Sequence, residues 1–200
     1  MKGGGAGDSL HHYRGGTVSE NDTHDDALDD EAAGGLESER TRRTALLAAE
    51  LGAGRDPWPH RFDRTRTLAE IRAAHDGMAP GTETDVRDAV AGRIMLKRDQ
   101  GKLVFLSIQD RDDVLQLFVS RSEVGDDTFG FVTRLDLGDW VGAEGTVMTT
   151  RKGELSLKVN VVRLLAKSLR PMPDKWHGLV DTDTRYRQRY ADLIVNADAR

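Results

Sequence analysis

The chain has 200 residues and no cysteine, which excludes a disulfide framework, a thiolate nucleophile and a cysteine-based zinc site. Charged residues are 32% of the sequence and the mean hydropathy is -0.55, values typical of a protein with modest cores and no membrane span. The net charge of -5 belongs to the first 56 residues, where 12 Asp and Glu stand against 6 Lys and Arg, since the remainder has 22 against 23. A near-neutral body does not predict charge-driven binding of nucleic acid but permits base-specific binding through a few placed groups.

The N-terminal part divides into two predicted regions. Residues 1–37 are polar and acidic without a periodic apolar pattern, which predicts a disordered tail with no signal peptide, no metal site and a cytoplasmic location. Residues 38–85 are predicted to form a helical extension. A short helix is expected over residues 38–51, and the capping-box pair Thr67 and Glu70 predicts a second helix that runs to His75.

Five runs with strand character follow within residues 86–167. The first begins at Val86 and alternates at Val90, Ile94 and Leu96, which is the period of a strand. The others are residues 102–109, 114–119, 140–149 and 154–164, and the last two meet at a hairpin turn that contains Gly153. A helix is predicted between the third and fourth runs, over residues 123–137.

This order of elements predicts a mainly β fold, a five-stranded OB-type Greek-key barrel with flanking N-terminal helices and a C-terminal linker helix. An SH3-like or other small barrel is the alternative. The helix before the fourth strand and the long first strand favour the OB topology, and Gly92 lies mid-strand, where a small barrel coils sharply. Beyond the barrel we expect an extended linker at residues 170–173, followed by a helical apolar stripe of Tyr186, Tyr190, Leu193 and Ile194.

Three stretches resemble the bacterial lysyl-tRNA synthetases, the lysine-specific branch of the class II aminoacyl-tRNA synthetases. They are residues 90–95 with Gly101, Lys102 and the Phe105 strand; residues 135–139 with 153–156; and residues 165–179 running into 185–190. Residues 43–62, with Asp56-Pro57-Trp58-Pro59, are similar to the N-terminal helix of that family and its exit. The chain departs from the family pattern at Asp113 and Ala191.

The resemblance implies the N-terminal, anticodon-binding part of the enzyme, with residues 168–200 as a linker and the start of the class II catalytic domain. It implies that the intact enzyme activates lysine with ATP and Mg²⁺, transfers it to tRNA and works as a homodimer. The chain contains no phosphate-loop, zinc-protease or hydrolase motif, and the synthetase motifs that bind ATP are expected beyond residue 200. We therefore expect no cofactor and no catalysis from this chain alone.

An OB barrel binds single strands on the face of its second and third strands. Alternation sends Val104, Leu106 and Ile108 to one side and leaves Phe105 on the other, where a base can stack on its ring. The alternative for Phe105 is a place in the barrel core. Gln116 offers a donor and an acceptor, or else it is a solvated strand residue.

Glu154 follows the last turn and, when ionised, only accepts hydrogen bonds, which suits the N3–H of uracil. Its alternative role is a hairpin charge paired with Lys152. The resemblance implies that Phe105, Gln116 and Glu154 read the central uridine of the tRNA(Lys) anticodon. It also implies a basic residue from the first strand, for which Lys97 and Arg98 both remain candidates. The predicted phosphate contacts, which are equally consistent with ordinary surface charges, are Arg93, Lys102, Arg151 and Lys152.

Two other functions are compatible with parts of the sequence. One is the soluble module of a lysylphosphatidylglycerol-synthesising fusion, which requires transmembrane helices upstream. The other is a freestanding OB-fold nucleic-acid-binding protein, which the linker and the stripe that begins at Tyr186 disfavour. We expect no membrane partner.

Overall fold

The computed structural model of the chain describes residues 22–172 and 179–199. Its first helix, α1, spans Asp22–Gly52, so the prediction of disorder was wrong for residues 22–37, while residues 1–21 lie outside the described part. Residues 27–33 are Ala, Leu, Asp and Glu. Ala, Leu and Glu have high helix propensity, and acidic residues near the N-terminus complement the helix dipole. Low hydropathy therefore did not prevent local helix formation.

The chain divides into two compact units, one ending at Gly35 and one beginning at Leu36. The described part of the first unit is helical throughout. None of the described helices is long and apolar enough to cross a bilayer.

The short helix α2, Leu68–Ala74, confirms the capping-box prediction. The Thr67 hydroxyl accepts a hydrogen bond from the backbone N–H of Glu70, and the Glu70 carboxylate accepts one from the backbone N–H of Thr67 at 2.7 Å. Leu68 and Ile71 are fully buried and join the barrel core. The α2 helix therefore packs against the barrel by its apolar face.

Five strands form a closed barrel in the order β1-β2-β3-β5-β4, which confirms the predicted fold class. They are β1 Glu83–Asp99, β2 Leu103–Gln109, β3 Val114–Ser120, β4 Trp140–Thr149 and β5 Leu155–Ala166. All neighbours are antiparallel except β3 and β5, whose short parallel pairing closes the barrel. The helix α3, Arg121–Arg134, lies between β3 and β4 as predicted and kinks at Gly125, where φ is 78°.

Period-two alternation fills the barrel with aliphatic side chains. The central strands β2 and β3 contribute the largest set, all fully buried or nearly so: Val104, Leu106, Ile108, Leu115, Leu117 and Val119. Phe129 and Val132 of α3 extend the same core. At Gly92 of β1 the backbone of β2 approaches closely, because a Cβ there would lie 3.0 Å from the Gln109 carbonyl oxygen.

A buried ionic cluster ties the start of β4 to the end of β5. The carboxylate of Asp139, which is fully buried, accepts hydrogen bonds from Lys167 Nζ at 2.8 Å and from the backbone N–H of Ser168 at 2.9 Å. Lys167 also bonds Asp136. Burial by itself raises the pKa of Asp136, but hydrogen bonds from Lys167 and Arg42 outweigh burial and hold this pKa below its ordinary value.

The C-terminal stripe belongs to two short helices instead of one. They are α4, Thr182–Arg187, and α5, Arg189–Val195, separated by Gln188 in a non-helical conformation. Tyr186 and Tyr190 are 76% and 57% exposed. The predicted extended linker at residues 170–173 falls partly outside the described residues.

The contact between β4 and β5 can be tested with two glycines whose surroundings differ. A Cβ at Gly145 would lie 2.1 Å from the carbonyl oxygen of Lys158, at an irregularity in the β4–β5 pairing. We expect Gly145→Ala to lower the free energy of unfolding by about 3 kcal/mol, as forced overpacking against backbone does. Gly130→Ala in α3 is the matched control, since its Cβ would meet only an Arg134 side-chain atom at 3.7 Å. It should raise stability by about 0.5–1 kcal/mol. Urea unfolding measures both, and equal effects would contradict the described β4–β5 contact.

Candidate nucleic-acid interface

An open cleft of about 990 Å³ lies on the outer face of β2 and β3. The turn between β1 and β2 and the turn between β4 and β5 border it. It is lined by residues of both turns, of β2 and β3, and of the adjoining ends of β1 and β4, among them Arg98, Phe105, Gln116, Phe118, Lys152 and Glu154. The cleft thus lies where OB barrels bind single strands.

Two aromatic rings form its floor. Phe105 of β2 lies directly opposite Phe118 of β3, and their ring centroids are 5.5 Å apart at an interplanar angle of 74°. Both side chains are half-buried, while Val104 and Leu106 are fully buried. Phe105 therefore lies outside the aliphatic core, as alternation predicted. Phe118 was missed, although its spacing of two residues from Gln116 places it on the same face.

A directional chain of hydrogen bonds crosses the cleft wall. Arg98 Nη2 donates to Gln116 Oε1 at 3.2 Å, and Gln116 Nε2 donates to Ser156 Oγ at 2.9 Å. Ser156 Oγ donates in turn to the backbone carbonyl of Glu154 at 3.1 Å. Gln116 is buried and bonded at both ends of its amide, so it is no solvated strand residue. The Arg98 guanidinium carbon lies 5.9 Å from the centroid of Phe105, at the outer limit of a cation–π contact.

The β4–β5 turn presents opposite charges at the rim. Arg151, Lys152 and Glu154 are all exposed, and Gly153 adopts a φ of 83° that lets the chain turn. The backbone N–H of Glu154 donates to Thr150 Oγ1 at 3.0 Å and its carbonyl accepts from Thr150 N–H at 2.9 Å, which fixes the main chain here. Within residues 22–172 and 179–199 the Glu154 carboxylate forms no ion pair, so the alternative pairing with Lys152 is not observed.

Lys97 does not face the cleft, contrary to one of the two predictions for strand β1. A β-bulge between Ile94 and Leu96 shifts the register, so that Lys97 pairs with core-facing Leu106 and Arg98 pairs with Phe105. Directly paired residues share one side of a sheet, which places Arg98 alone beside the aromatic floor. The same shift moves Leu96 opposite Ser107, away from the predicted alternation.

The Lys97 ammonium instead lies at the C-terminal end of α3. It donates to the carbonyl oxygens of Thr133 and of Leu135, the latter at 2.8 Å. A cation here satisfies the orphan carbonyls of the last turn and complements the helix dipole. Burial lowers the pKa of Lys97, and the nearby carboxylates of Asp136 and Asp99 oppose that effect.

Two of the four predicted phosphate contacts, Arg93 and Lys102, do not line the cleft. Arg93 is half-buried, donates to the Gly138 carbonyl at 3.1 Å and stacks 5.2 Å from the centroid of Trp140. Burial lowers its pKa. Lys102 is exposed in the β1–β2 turn but does not line the cleft. Arg151 and Lys152 line the cleft directly.

Among the described residues, no group of three or more His, Asp or Glu side chains could hold a metal ion.

A closed five-stranded barrel with an aromatic floor and basic turns on its β2–β3 face defines an OB-fold nucleic-acid-binding domain. Residues 89–165 match the family of tRNA anticodon-type domains described as "OB-fold nucleic acid binding domain". The chain is similar to a lysine–tRNA ligase of a Synechococcus species, with 43% identity over 80% of this chain and 32% of the relative. It is 45% identical to lysine–tRNA ligases of Lactococcus lactis, over 74% of this chain and 30% of the relative, and of Variovorax paradoxus, over 82% and 32%.

The chain therefore carries an OB-fold domain of the tRNA anticodon-binding type, and over most of its length it is similar to lysine–tRNA ligases. It spans about a third of the length of the curated relatives that it matches.

The different placement of Lys97 and Arg98 predicts unequal effects of their substitution on stability. Lys97→Met keeps the apolar stem but leaves the Thr133 and Leu135 carbonyls without their donor, which should cost about 1–3 kcal/mol of unfolding free energy. Arg98→Met removes an exposed side chain and should change stability by no more than about 0.5 kcal/mol. Urea unfolding of the two variants checks this. A larger loss for Arg98→Met than for Lys97→Met would mean that the bulge does not set the register as described.

Proposed function

We propose that this chain binds the anticodon of tRNA(Lys) in the cleft on the β2–β3 face, as the recognition part of a lysine–tRNA ligase. One observation carries the proposal. The half-buried ring of Phe105 lies beside Arg98, a hydrogen-bond donor held by Gln116. Glu154 lines the same cleft, and its carboxylate, an acceptor, forms no ion pair with any described residue. The similarity to lysine–tRNA ligases supports the choice of tRNA(Lys) as the RNA.

The chemistry of these three groups favours uracil at the central position of the anticodon. A base stacks on Phe105, whose π face accepts any base. The ionised Glu154 accepts the N3–H of uracil and repels cytosine, whose N3 is itself an acceptor. Arg98 only donates, so it binds a carbonyl oxygen of the base edge.

Sequence-independent binding comes from the basic groups around the cleft. Arg151 and Lys152 are at its rim, and Lys102 is exposed in the neighbouring turn. These three are the proposed phosphate contacts. Arg93 and Lys97 are not included, because their charged groups bind backbone carbonyls elsewhere in the fold. Phosphate contacts made by exposed cations weaken as the salt concentration rises.

The remaining proposals concern the organisation and the whole protein. We propose a helical extension that begins with α1 and ends before β1, an OB domain that comprises β1 to β5, and a linker with the start of the catalytic domain over residues 168–200. The intact ligase is proposed to be a cytoplasmic homodimer that activates lysine with ATP and Mg²⁺ and transfers it to tRNA. The motivation is the similarity to lysine–tRNA ligases over most of this chain.

Phe105→Ala should weaken binding of an anticodon stem-loop by about 1–3 kcal/mol, with similar losses for different central bases, because stacking does not depend on base identity. The measurement is a titration of U-centred and C-centred stem-loops at one salt concentration. Trp58→Ala, which removes a 45% exposed aromatic outside the cleft, is the control and should leave affinity unchanged. Equal losses from the two variants would remove Phe105 from the binding site.

Glu154→Gln should reduce the preference for U over C by about 1–3 kcal/mol, because an amide donates as well as accepts and no longer opposes the cytosine edge. The same titrations measure it. Glu144→Gln makes the same change of charge on β4 outside the cleft and should keep the preference. If Glu154→Gln lowers both affinities equally and keeps the preference for U, then Glu154 acts only through its charge and does not read the base.

A further inference from the structure

Ser156 is fully buried and does not line the cleft, yet it is bonded to a residue that does. The parallel pairing of β3 with β5 places it directly opposite Gln116. Its hydroxyl carries a single proton, which it donates to the carbonyl of Glu154. With this proton directed to Glu154, the oxygen of Ser156 accepts from the amide nitrogen of Gln116, which faces it at 2.9 Å.

The orientation of this amide decides what Arg98 can do. With its nitrogen facing Ser156, Gln116 presents its oxygen to Arg98, and Arg98 can only donate. A flipped amide would turn its N–H groups toward the guanidinium, where donor meets donor and no hydrogen bond forms. The hydroxyl of Ser156 thereby selects the orientation of Gln116 that holds Arg98 beside Phe105.

The Arg98 guanidinium distinguishes bases differently when Gln116 holds it in place than when it is mobile. Uracil and cytosine share the O2 acceptor, but uracil has the acceptor O4 where cytosine has an amino donor. A guanidinium fixed by Gln116 favours O4 and opposes the amino group. A released guanidinium keeps its charge and can turn to phosphate, which carries no base identity.

We propose that Ser156 is a positioning residue for base discrimination, which orients the Gln116 amide so that Arg98 is held as a hydrogen-bond donor toward O4 of the central uracil. This inference rests on the proposed function, since it requires that the cleft binds the anticodon. Ser156 itself touches no RNA.

The test compares three anticodon stem-loops whose central base is uracil, 4-thiouracil or cytosine, bound to the 200-residue chain. 4-Thiouracil keeps N3–H and the ring but replaces O4 by sulfur, a weak acceptor. It therefore isolates the donor that faces O4 from the acceptor Glu154. The wild-type chain should prefer uracil over 4-thiouracil about tenfold, the factor expected for one discriminating contact. Ser156→Ala should abolish that preference while the affinity for the 4-thiouracil loop stays within about twofold.

A double-mutant cycle separates orientation from general loss of packing. In a Gln116→Leu background there is no amide to orient, so adding Ser156→Ala should change the O4 preference no further. Ser156→Thr retains the hydroxyl and should retain the preference. Thr65→Ala is the matched control, because it deletes a hydroxyl bonded to Asp88 at 2.8 Å outside the cleft. It should lower stability and leave the preference unchanged.

The outcomes distinguish this inference from the proposed function. If the wild-type chain binds the uracil loop and Phe105→Ala weakens it, but Ser156→Ala keeps the preference for O4 over sulfur, the role of Ser156 is overturned and the anticodon site stands. Additive effects of Ser156→Ala and Gln116→Leu would overturn it as well. If the wild-type chain binds none of the loops, the proposed function itself is wrong.

Discussion

The candidate site depends on a parallel pairing of only three residue pairs between β3 and β5. This pairing closes the barrel, and Gln116 opposite Ser156 is its first pair. Without closure the β4–β5 turn, which carries Glu154 and two basic residues, would not stand over the aromatic floor formed by β2 and β3. The buried hydrogen bond between Gln116 and Ser156 lies within this seam. The polar groups proposed to recognise the anticodon and the contact that closes the fold are thus partly the same atoms.

A second constraint lies where β4 begins and β5 ends. Asp139 is fully buried, and removing one partner of such an ion pair costs more than the pair contributes, because a buried charge is left uncompensated. Retaining both Asp139 and Lys167 therefore matters more to the fold than the net energy of their contact suggests. Arg43 of α1 extends it by donating to the backbone carbonyls of Leu137 and Ser168, at 3.1 and 3.2 Å. These bonds fix the C-terminal part of α1 against the loop that enters β4.

Most of the fold was predictable from sequence because its signals are local. The alternation of apolar and polar residues predicted the start of β2 to within one residue. The turn signal at Gly153 correctly predicted that β4 and β5 form a hairpin. The bulge in β1 has no such signal, and it inverts which of Lys97 and Arg98 faces outward. Whether Lys97 or Arg98 faces the cleft could therefore be decided only from the observed register of β1 with β2. The hydrogen bond between Gln116 and Ser156, on which the proposed role of Ser156 rests, was equally unpredictable, since it joins strands that are about forty residues apart in the chain. The helical state of residues 22–37 was not predicted, because their acidic, weakly hydrophobic composition is also typical of disorder, although Ala, Leu and Glu have high helix propensity.

The closing seam also has a consequence for how the domain is made. Strands β1 to β3 form consecutive antiparallel pairs and can associate as soon as they leave the ribosome, but β5 is the last strand of the barrel to be synthesised. Until it arrives, the edge of β3 has no partner, and the aliphatic face that ends at Val119 remains open to solvent and to other chains. Pairings between distant segments form slowly, because the intervening loop must first be ordered. In the interval before β5 docks, the nascent chain therefore presents both an unpaired strand edge and uncovered apolar surface, the two features that favour aggregation.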